Sequence, residues 1–294
     1  MAETHIFEAN KLFSVKDFVC LVTGGGTGIG LMATQALAAN GAKVYITGRR
    51  MNVLQNAAKA HSDGAIGQII PIGPCDVTKK DDLEKLYQEL SKKEKYLSLL
   101  ICNAGMTGPR AKPDEEDASR MKQKLWENET LEGWQQTFDL NVTSVYFTTV
   151  ALLPLLQASI EPTGPLPRFS PSVITISSMS GLMRHAQGHF AYNTSKGATV
   201  HLTKLMSAEF QKTGIRINSI APGYFASEMT TKASDDSQKS ELSAEKIKEK
   251  GYVPLMRGGK DEEMGMAVLF LTKNQYVNGQ ILTVDGGVLN VVGS

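Results

Sequence analysis

The sequence predicts an α/β fold in which one seven-stranded parallel sheet carries helices on both faces, and three observations predict it. Short β-branched, apolar runs recur along the chain, stretches with helical spacing separate most of them, and the first run leads straight into a glycine-rich turn. Strands covered on both faces read as continuous apolar runs rather than as alternating ones, and strand-helix alternation favours parallel pairing.

The expected strands, in order, are "FVCLVT" at 18–23, "KVYIT" at 43–47, "QIIPI" at 68–72, "LSLLIC" at 97–102, "SVITIS" at 172–177, "IRINSI" at 215–220 and "QILTV" at 280–284. Helical spacing shows in "LMATQALAAN" after the first strand, "DDLEKLYQEL" before the fourth and "GATVHLTKLMSAEF" before the sixth. Three segments interrupt the rhythm of what is read as one domain over 1–294. Residues 106–132 are a charged insertion, longer than a simple connection, and 160–171 are a Pro-rich exposed loop. Residues 230–250 are polar, with a few spaced apolar positions.

Bulk properties narrow the function classes. With 31 Lys+Arg against 30 Asp+Glu the formal charge is +1, so no global field recruits nucleic acid or an anionic membrane, and a small molecule is the expected partner. Cys20, Cys75 and Cys102 form no CxxC pair, and His185 and His189 have no ligating neighbours, which argues against a disulfide framework or a metal site. The first residues lack the apolar run of a signal peptide, and the longest apolar run, "VALLPLL" at 150–156, contains Pro154 and is short for a bilayer. A cytoplasmic location is expected.

The glycine turn, "TGGGTGIG" from Thr23 to Gly30, sits between a strand and the helix that follows. Glycines there let the backbone approach a pyrophosphate, and the helix's free N–H groups and dipole favour the anion, so the turn is read as a dinucleotide site. The second strand ends "YITGRR": Gly48 stands where an acid would bind a ribose 2′-hydroxyl, and Arg49 and Arg50 follow. Two guanidiniums suit a 2′-phosphate, so NADP(H) is the expected cofactor. In "AYNTSK", Tyr192 and Lys196 stand four apart, which on a helix puts a phenol and an ammonium on one face.

These motifs, with "CDV" at 75–77, "NAG" at 103–105, "FDLNVTSVY", "ISSMSG" at 176–181, "APG" at 221–223 and "VDGG" at 284–287, come in the order of the classical short-chain dehydrogenase/reductase family, which the chain resembles from about 15 to 290. The resemblance is nearest to 3-oxoacyl reductase-like and secondary-metabolite ketoreductase members. It implies a Rossmann-type doubly wound domain and an oxidoreductase that moves a hydride between NADP(H) and a ketone or secondary alcohol. Cofactor contacts are implied along the turn at Thr23, Gly24, Gly26, Thr27, Gly28, Ile29 and Gly30. Asp76, with Val77, is assigned to the adenine, and Asn103, Ala104 and Gly105 to the adenosine half. Pro222 and Gly223 open the loop over the nicotinamide, which continues through Phe225, Ser227 and Met229, Ser227 standing where the family has threonine.

The resemblance makes Tyr192 the proton donor, Lys196 its tuning partner and a ligand of the nicotinamide ribose, Ser178 the carbonyl-orienting hydroxyl and Asn141 the holder of a relay water. A neighbouring ammonium is expected to lower the phenol's pKa. The serine-to-tyrosine interval is 14 residues, one longer than in most relatives, which places an insertion near "MRHAQGHF". Ser178, Met179, Tyr192 and Tyr224 are the expected substrate contacts, with Met183, His185, His189, Phe190 and Phe225 as further pocket walls, and 224–250 is read as a substrate lid. The apolar helices around 141–158 and 197–210 are expected to pair between subunits in a dimer or tetramer. A rival reading, a cofactor-binding protein with a regulatory or non-redox role, would be expected to have lost Ser178, Tyr192 or Lys196, and all three are present.

Overall fold

The structure, a computed structural model, describes residues 4–160, 166, 169–231, 234–250 and 252–293. A turn of helix, α1 (Ala9–Leu12), precedes an alternation of β1 (Val19–Thr23), α2 (Gly28–Ala39), β2 (Lys43–Thr47), α3 (Met51–His61), β3 (Gln68–Pro71), α4 (Lys80–Lys93) and β4 (Leu99–Cys102). Two helices, α5 (Ala118–Asn128) and α6 (Leu131–Phe138), then run through a π-helical turn, Asp139–Thr143, into α7 (Ser144–Ala158). After β5 (Ser172–Ile176) come α8 (Phe190–Glu209), β6 (Arg216–Pro222), two short helices α9 (Glu228–Thr231) and α10 (Ala244–Lys248), then α11 (Asp261–Lys273), β7 (Ile281–Val284) and α12 (Leu289–Val292).

All seven expected strands are present in one sheet of order β3-β2-β1-β4-β5-β6-β7, every pair parallel. Consecutive β1 side chains serve opposite faces, which is why the strand reads as unbroken apolar sequence. Cys20 and Val22 join Leu31, Leu37, Ile46, Ile101 and Val268 under α2, α3 and α11, whereas Val19 and Leu21 join Leu86, Leu90, Leu100, Leu152 and Leu156 under α4 and α7. The Pro-rich loop lies largely outside the described residues. Of its far end, Phe169 is buried edge-on against Phe18, with ring centroids 4.6 Å apart.

The insertion is more ordered than its composition suggests. Asp117 caps α5 by accepting from Arg120 N at 2.9 Å, yet no α5 residue is buried, and Trp126 is exposed. The run 131–158 forms one continuous helical stretch, long and apolar enough by composition to cross a membrane, but Leu152, Leu155 and Leu156 face the sheet. It is also longer than the seven-residue apolar run suggested, because the π turn carries the helix through "DLNVT".

Strand order reverses between β1 and β4, and parallel sheets open a crevice at such a point beyond the strands' carboxyl ends. A clasp holds the crevice together. The Thr23 hydroxyl accepts from Asn103 N at 3.0 Å and Ala104 N at 3.1 Å, and the Asn103 amide donates to Thr23 O at 3.0 Å and Gly24 O at 3.1 Å. Gly30, in the first turn of α2, makes this possible: a Cβ there would lie 2.2 Å from Gly24 O and 2.4 Å from Asn103 Nδ2.

Replacing Gly30 by alanine therefore sets two effects against each other. Helix propensity gains about 1 kcal/mol. Overlap with a backbone oxygen and loss of an Asn103 hydrogen bond cost about 2–4 kcal/mol together. The expected outcome is a Gly30→Ala protein destabilised by about 2 kcal/mol in urea unfolding. An unchanged or higher midpoint would show that the clasp is not tight.

Candidate active site

A cleft of about 550 Å³ opens at the switch point, running from the ends of β1, β2 and β4 to the start of α8 and the segment after β6. One bank is the glycine turn. Gly24 and Gly28 have φ of 64° and 51°, in the left-handed region where a side chain would be strained, and the turn delivers the chain to the N-terminus of the twelve-residue α2. A Cβ on Gly26 would come within 3.2 Å of both Val53 and Leu54, and one on Gly28 within 2.7 Å of Ser227 Cβ. Bare backbone, a helix N-terminus and a long cleft fit a dinucleotide.

Most of the expected cofactor residues do line this cleft: Gly24, Gly26, Thr27, Gly28 and Ile29 from the turn, Arg49 and Arg50, Asp76 and Val77, and Asn103 to Gly105. Pro222, Gly223, Phe225, Ser227 and Met229 complete the opposite bank. Thr23 and Gly30, expected as contacts, do not line it. Thr23 is buried with its hydroxyl committed to the clasp, and Gly30 packs against Gly24, so both shape the cleft from behind. Asn103 lines the cleft, but its amide donors are already engaged in holding the turn.

One of the two charges beyond β2 is paired across the cleft. Burial disfavours ionised Asp76, but hydrogen bonds from Thr78 Oγ1 at 2.8 Å and Thr78 N at 3.1 Å, with the field of Arg49, hold its carboxyl below the ordinary range. Arg50, expected beside Arg49 to receive a phosphate, instead donates from Nη2 to Glu228 Oε2 at 2.7 Å and from Nη1 to Oε1 at 3.4 Å. Those bonds hold the Glu228 carboxyl below its usual value. Glu228 was not among the expected residues, nor were Cys75, Leu140 and Ile176, which also line the cleft.

At the inner end, Ser178, Tyr192 and Lys196 come together. Ser178 follows β5 and starts a 3₁₀ turn, accepting from Ser180 N at 3.1 Å. Gly181 brings this turn onto the α8 backbone, where a Cβ would lie 2.5 Å from Lys196 C. Lys196 Nζ, buried, donates to Ile176 O at 2.7 Å and lies 5.8 Å from the Tyr192 ring centroid. Burial pushes its pKa down to about 8. The expected lowering of the phenol is not what this structure shows: burial raises the Tyr192 pKa, and a hydrogen bond with Ser178 only partly opposes it.

Asn141 stands behind this group rather than in the cleft. Its Oδ1 accepts from Met106 N, and its Nδ2 donates to Met106 O and Ser195 Oγ, all at 2.9 Å. It sits in the π-helical turn, a local widening of the helix that recurs at functional sites. Gly105 separates it from the lysine: a Cβ there would be 3.0 Å from Asn141 Oδ1 and 3.5 Å from Lys196 Nζ.

The outer walls differ more from expectation. Met179 and Met183 are buried in a third apolar cluster with Ile247, Val253 and Val288. Tyr224 packs on the same cluster, its hydroxyl 2.5 Å from that of Tyr252. Among the described residues of 224–250, Phe225 and Ile247 are buried and anchor an otherwise largely polar stretch. Between Ser178 and Tyr192, Gln187 and Gly188 have φ of 53° and 77°, Gln187 Nε2 donates to Tyr252 OH at 2.7 Å, and Ala111 N donates to Gly188 O at 2.9 Å. His185 is exposed, while His189 lies edge-on to Tyr192 with centroids 6.5 Å apart. All three cysteines are free and buried.

Comparison with known proteins agrees with this geometry. Residues 18–238 match the family model described as short chain dehydrogenase. The chain is 39% identical over 291 residues to a protein named short-chain dehydrogenase/reductase PhomF from Diaporthe leptostromiformis, covering 97% of this chain and 96% of that one. It is 32% identical over 277 residues to a rhamnolipids biosynthesis 3-oxoacyl-[acyl-carrier-protein] reductase of Pseudomonas aeruginosa, covering 94% and 97%. Among solved structures, the Pseudomonas aeruginosa RhlG/NADP active-site complex superposes with a TM-score of 0.76 at 30% identity, covering 94% of this chain and 98% of that one.

The buried ammonium yields a test that needs no substrate. Because its folded pKa of about 8 lies below the unfolded lysine value, the unfolded chain holds more protons between the two, and stability gains from this group as pH rises through that window. The three buried thiols, whose pKa values burial raises, act in the opposite sense but cancel between variants. Lys196→Met is expected to be more stable than the wild type at pH 7 and to lose about 2 kcal/mol of that advantage by pH 10 in urea titrations. A pH-independent difference would mean that the ammonium is solvated.

Proposed function

The chain belongs to the short-chain dehydrogenase family and is an oxidoreductase of that family; on this premise we propose that it is an NADP(H)-dependent reductase of a ketone, run in reverse on the secondary alcohol. One observation carries the reading: Ser178, Tyr192 and Lys196 share a single continuous cleft with the glycine turn, so the reacting group and the dinucleotide site are parts of one cavity. A bound nicotinamide supplies the hydride that reduces the carbonyl carbon.

The side chains supply the rest. The Ser178 hydroxyl donates to the carbonyl oxygen and orients it. Tyr192 OH gives its proton to that oxygen as negative charge develops, a role for which a phenol kept protonated by burial is suited. Lys196, with its pKa brought down to about 8, sits close enough to the ring to stabilise the phenolate left behind and return a proton. Asn141 fixes the Met106 backbone and Ser195 behind this group and is the residue through which a proton relay reaches solvent. Arg49 and Arg50 at the β2 end support the phosphorylated cofactor, and the RhlG/NADP complex supports the same choice. Partly exposed Tyr146 on α7 and Leu205 on α8 support pairing of those helices between subunits.

The decisive experiment follows NADPH absorbance across a panel of ketones, oxoacyl thioesters and quinones. Tyr192→Phe is expected to lower kcat about 10²–10⁴-fold, the usual worth of a positioned acid, with little change in NADPH affinity. Unchanged turnover in that variant would sink the assignment. Arg49→Ala is expected to weaken NADPH binding about tenfold while sparing NADH, as loss of a charge-assisted bond to a phosphate requires. Equal loss for both cofactors would place Arg49 elsewhere.

A further inference from the structure

We propose that Glu228 is a specificity-determining residue of the cofactor cleft: its carboxylate holds, on Arg50, the place that a cofactor's 2′-phosphate takes, so that binding a phosphorylated dinucleotide exchanges one anion for another. The inference rests on the NADP(H) reading above and deepens it.

Arg50 leaves β2 at the start of α3, whereas Glu228 opens α9 beyond β6, and three strands of the sheet lie between β2 and β6. Their ion pair therefore joins the two banks of the cleft. It is fork-to-fork, Nη2 to Oε2 at 2.7 Å and Nη1 to Oε1 at 3.4 Å, so both terminal nitrogens of the guanidinium are engaged. A phosphate seated on the same two nitrogens has to displace the carboxylate. Ser234 Oγ donates to Glu228 Oε1 at 2.9 Å, which orients the acid from its own side of the cleft. Next to Glu228 in sequence, Ser227 rests over Gly28, so the pair secures the post-β6 strap directly on the glycine turn.

The remaining charges on the cleft sharpen the competition. Of the two guanidiniums after β2, Arg49 lies in the field of Asp76 and Arg50 is paired with Glu228. The Arg50 pair is partly solvated, with side chains 58% and 31% exposed, and such a pair shifts an equilibrium by about fivefold at most. A phosphate dianion outcompetes it, at a cost in affinity set by the pair. NAD(H), lacking that phosphate, leaves Arg50 and Glu228 joined. The acid thus moderates the preference that the arginines create, and it makes the strap respond to which cofactor is present.

The test measures dissociation constants of NADPH and NADH by fluorescence titration for the wild type, Glu228→Gln, Arg50→Ala and the double variant, with Glu228→Ser as a second truncation. Glu228→Gln is expected to tighten NADPH about fivefold and to leave NADH within a factor of about two, and the gain is expected to vanish in the Arg50→Ala background. It should also shrink at high ionic strength. Weaker binding of both cofactors in both Glu228 variants would overturn the proposal in favour of a purely structural strap contact, and equal tightening of both, or a gain that persists without Arg50, would overturn it too. A wild type that prefers NADH refutes the NADP(H) reading, while the Glu228–Arg50 coupling still decides this one.

Discussion

The clasp between Thr23 and Asn103 is the constraint on which the rest of the site depends. β1 and β4 are neighbours in register, with Thr23 opposite Cys102, but the two chains leave the sheet there and must diverge into a glycine turn on one side and a coil on the other. One hydroxyl receiving two backbone N–H groups and one amide serving two carbonyls satisfy at the point of divergence what the ladder no longer can. Four hydrogen bonds at about 1 kcal/mol each are modest as stabilisation, but leaving those groups buried and unpaired would cost more. Gly30 is the condition for this arrangement, since any larger residue would push the two chains apart.

From that fixed point the chemistry is built on rigid parts. The π-helical turn sets Asn141 against Met106 and Ser195, and Gly181 lays the Ser178 turn on α8 at the level of Lys196. The first contact is made by the asparagine side chain, whereas at Gly181 backbone meets backbone too closely for a side chain to intervene, and this fixes the Ser178 turn against α8. Burial then opposes charge on the phenol and on the ammonium alike.

Nearly all of the sheet was legible in the sequence because parallel strands covered on both sides cannot avoid continuous apolar runs. Their ends were less so: β4 begins at Leu99 rather than at Leu97, and β6 extends to Pro222, a residue type that marks breaks more often than strands. The glycine turn and the Ser178, Tyr192 and Lys196 group were legible because short spacings carry them. Whether a residue lines a cleft or packs behind its wall leaves no trace in spacing, and Thr23, Gly30 and Met179 pack behind it. The Arg50–Glu228 pair joins residues 178 apart, a contact that only the folded sheet creates. Helix α5 escaped notice because it buries nothing, and an amphipathic pattern with no core to face resembles a charged loop.

The bonds that tie Gln187 to Tyr252 and Ala111 to Gly188 join three stretches far apart in sequence, around 111, 187 and 252, to one another rather than to the strands beneath. The first of the three also reaches the buried asparagine, through the bonds between Met106 and Asn141. A substitution in one of these stretches is therefore met by the partner groups of the other two.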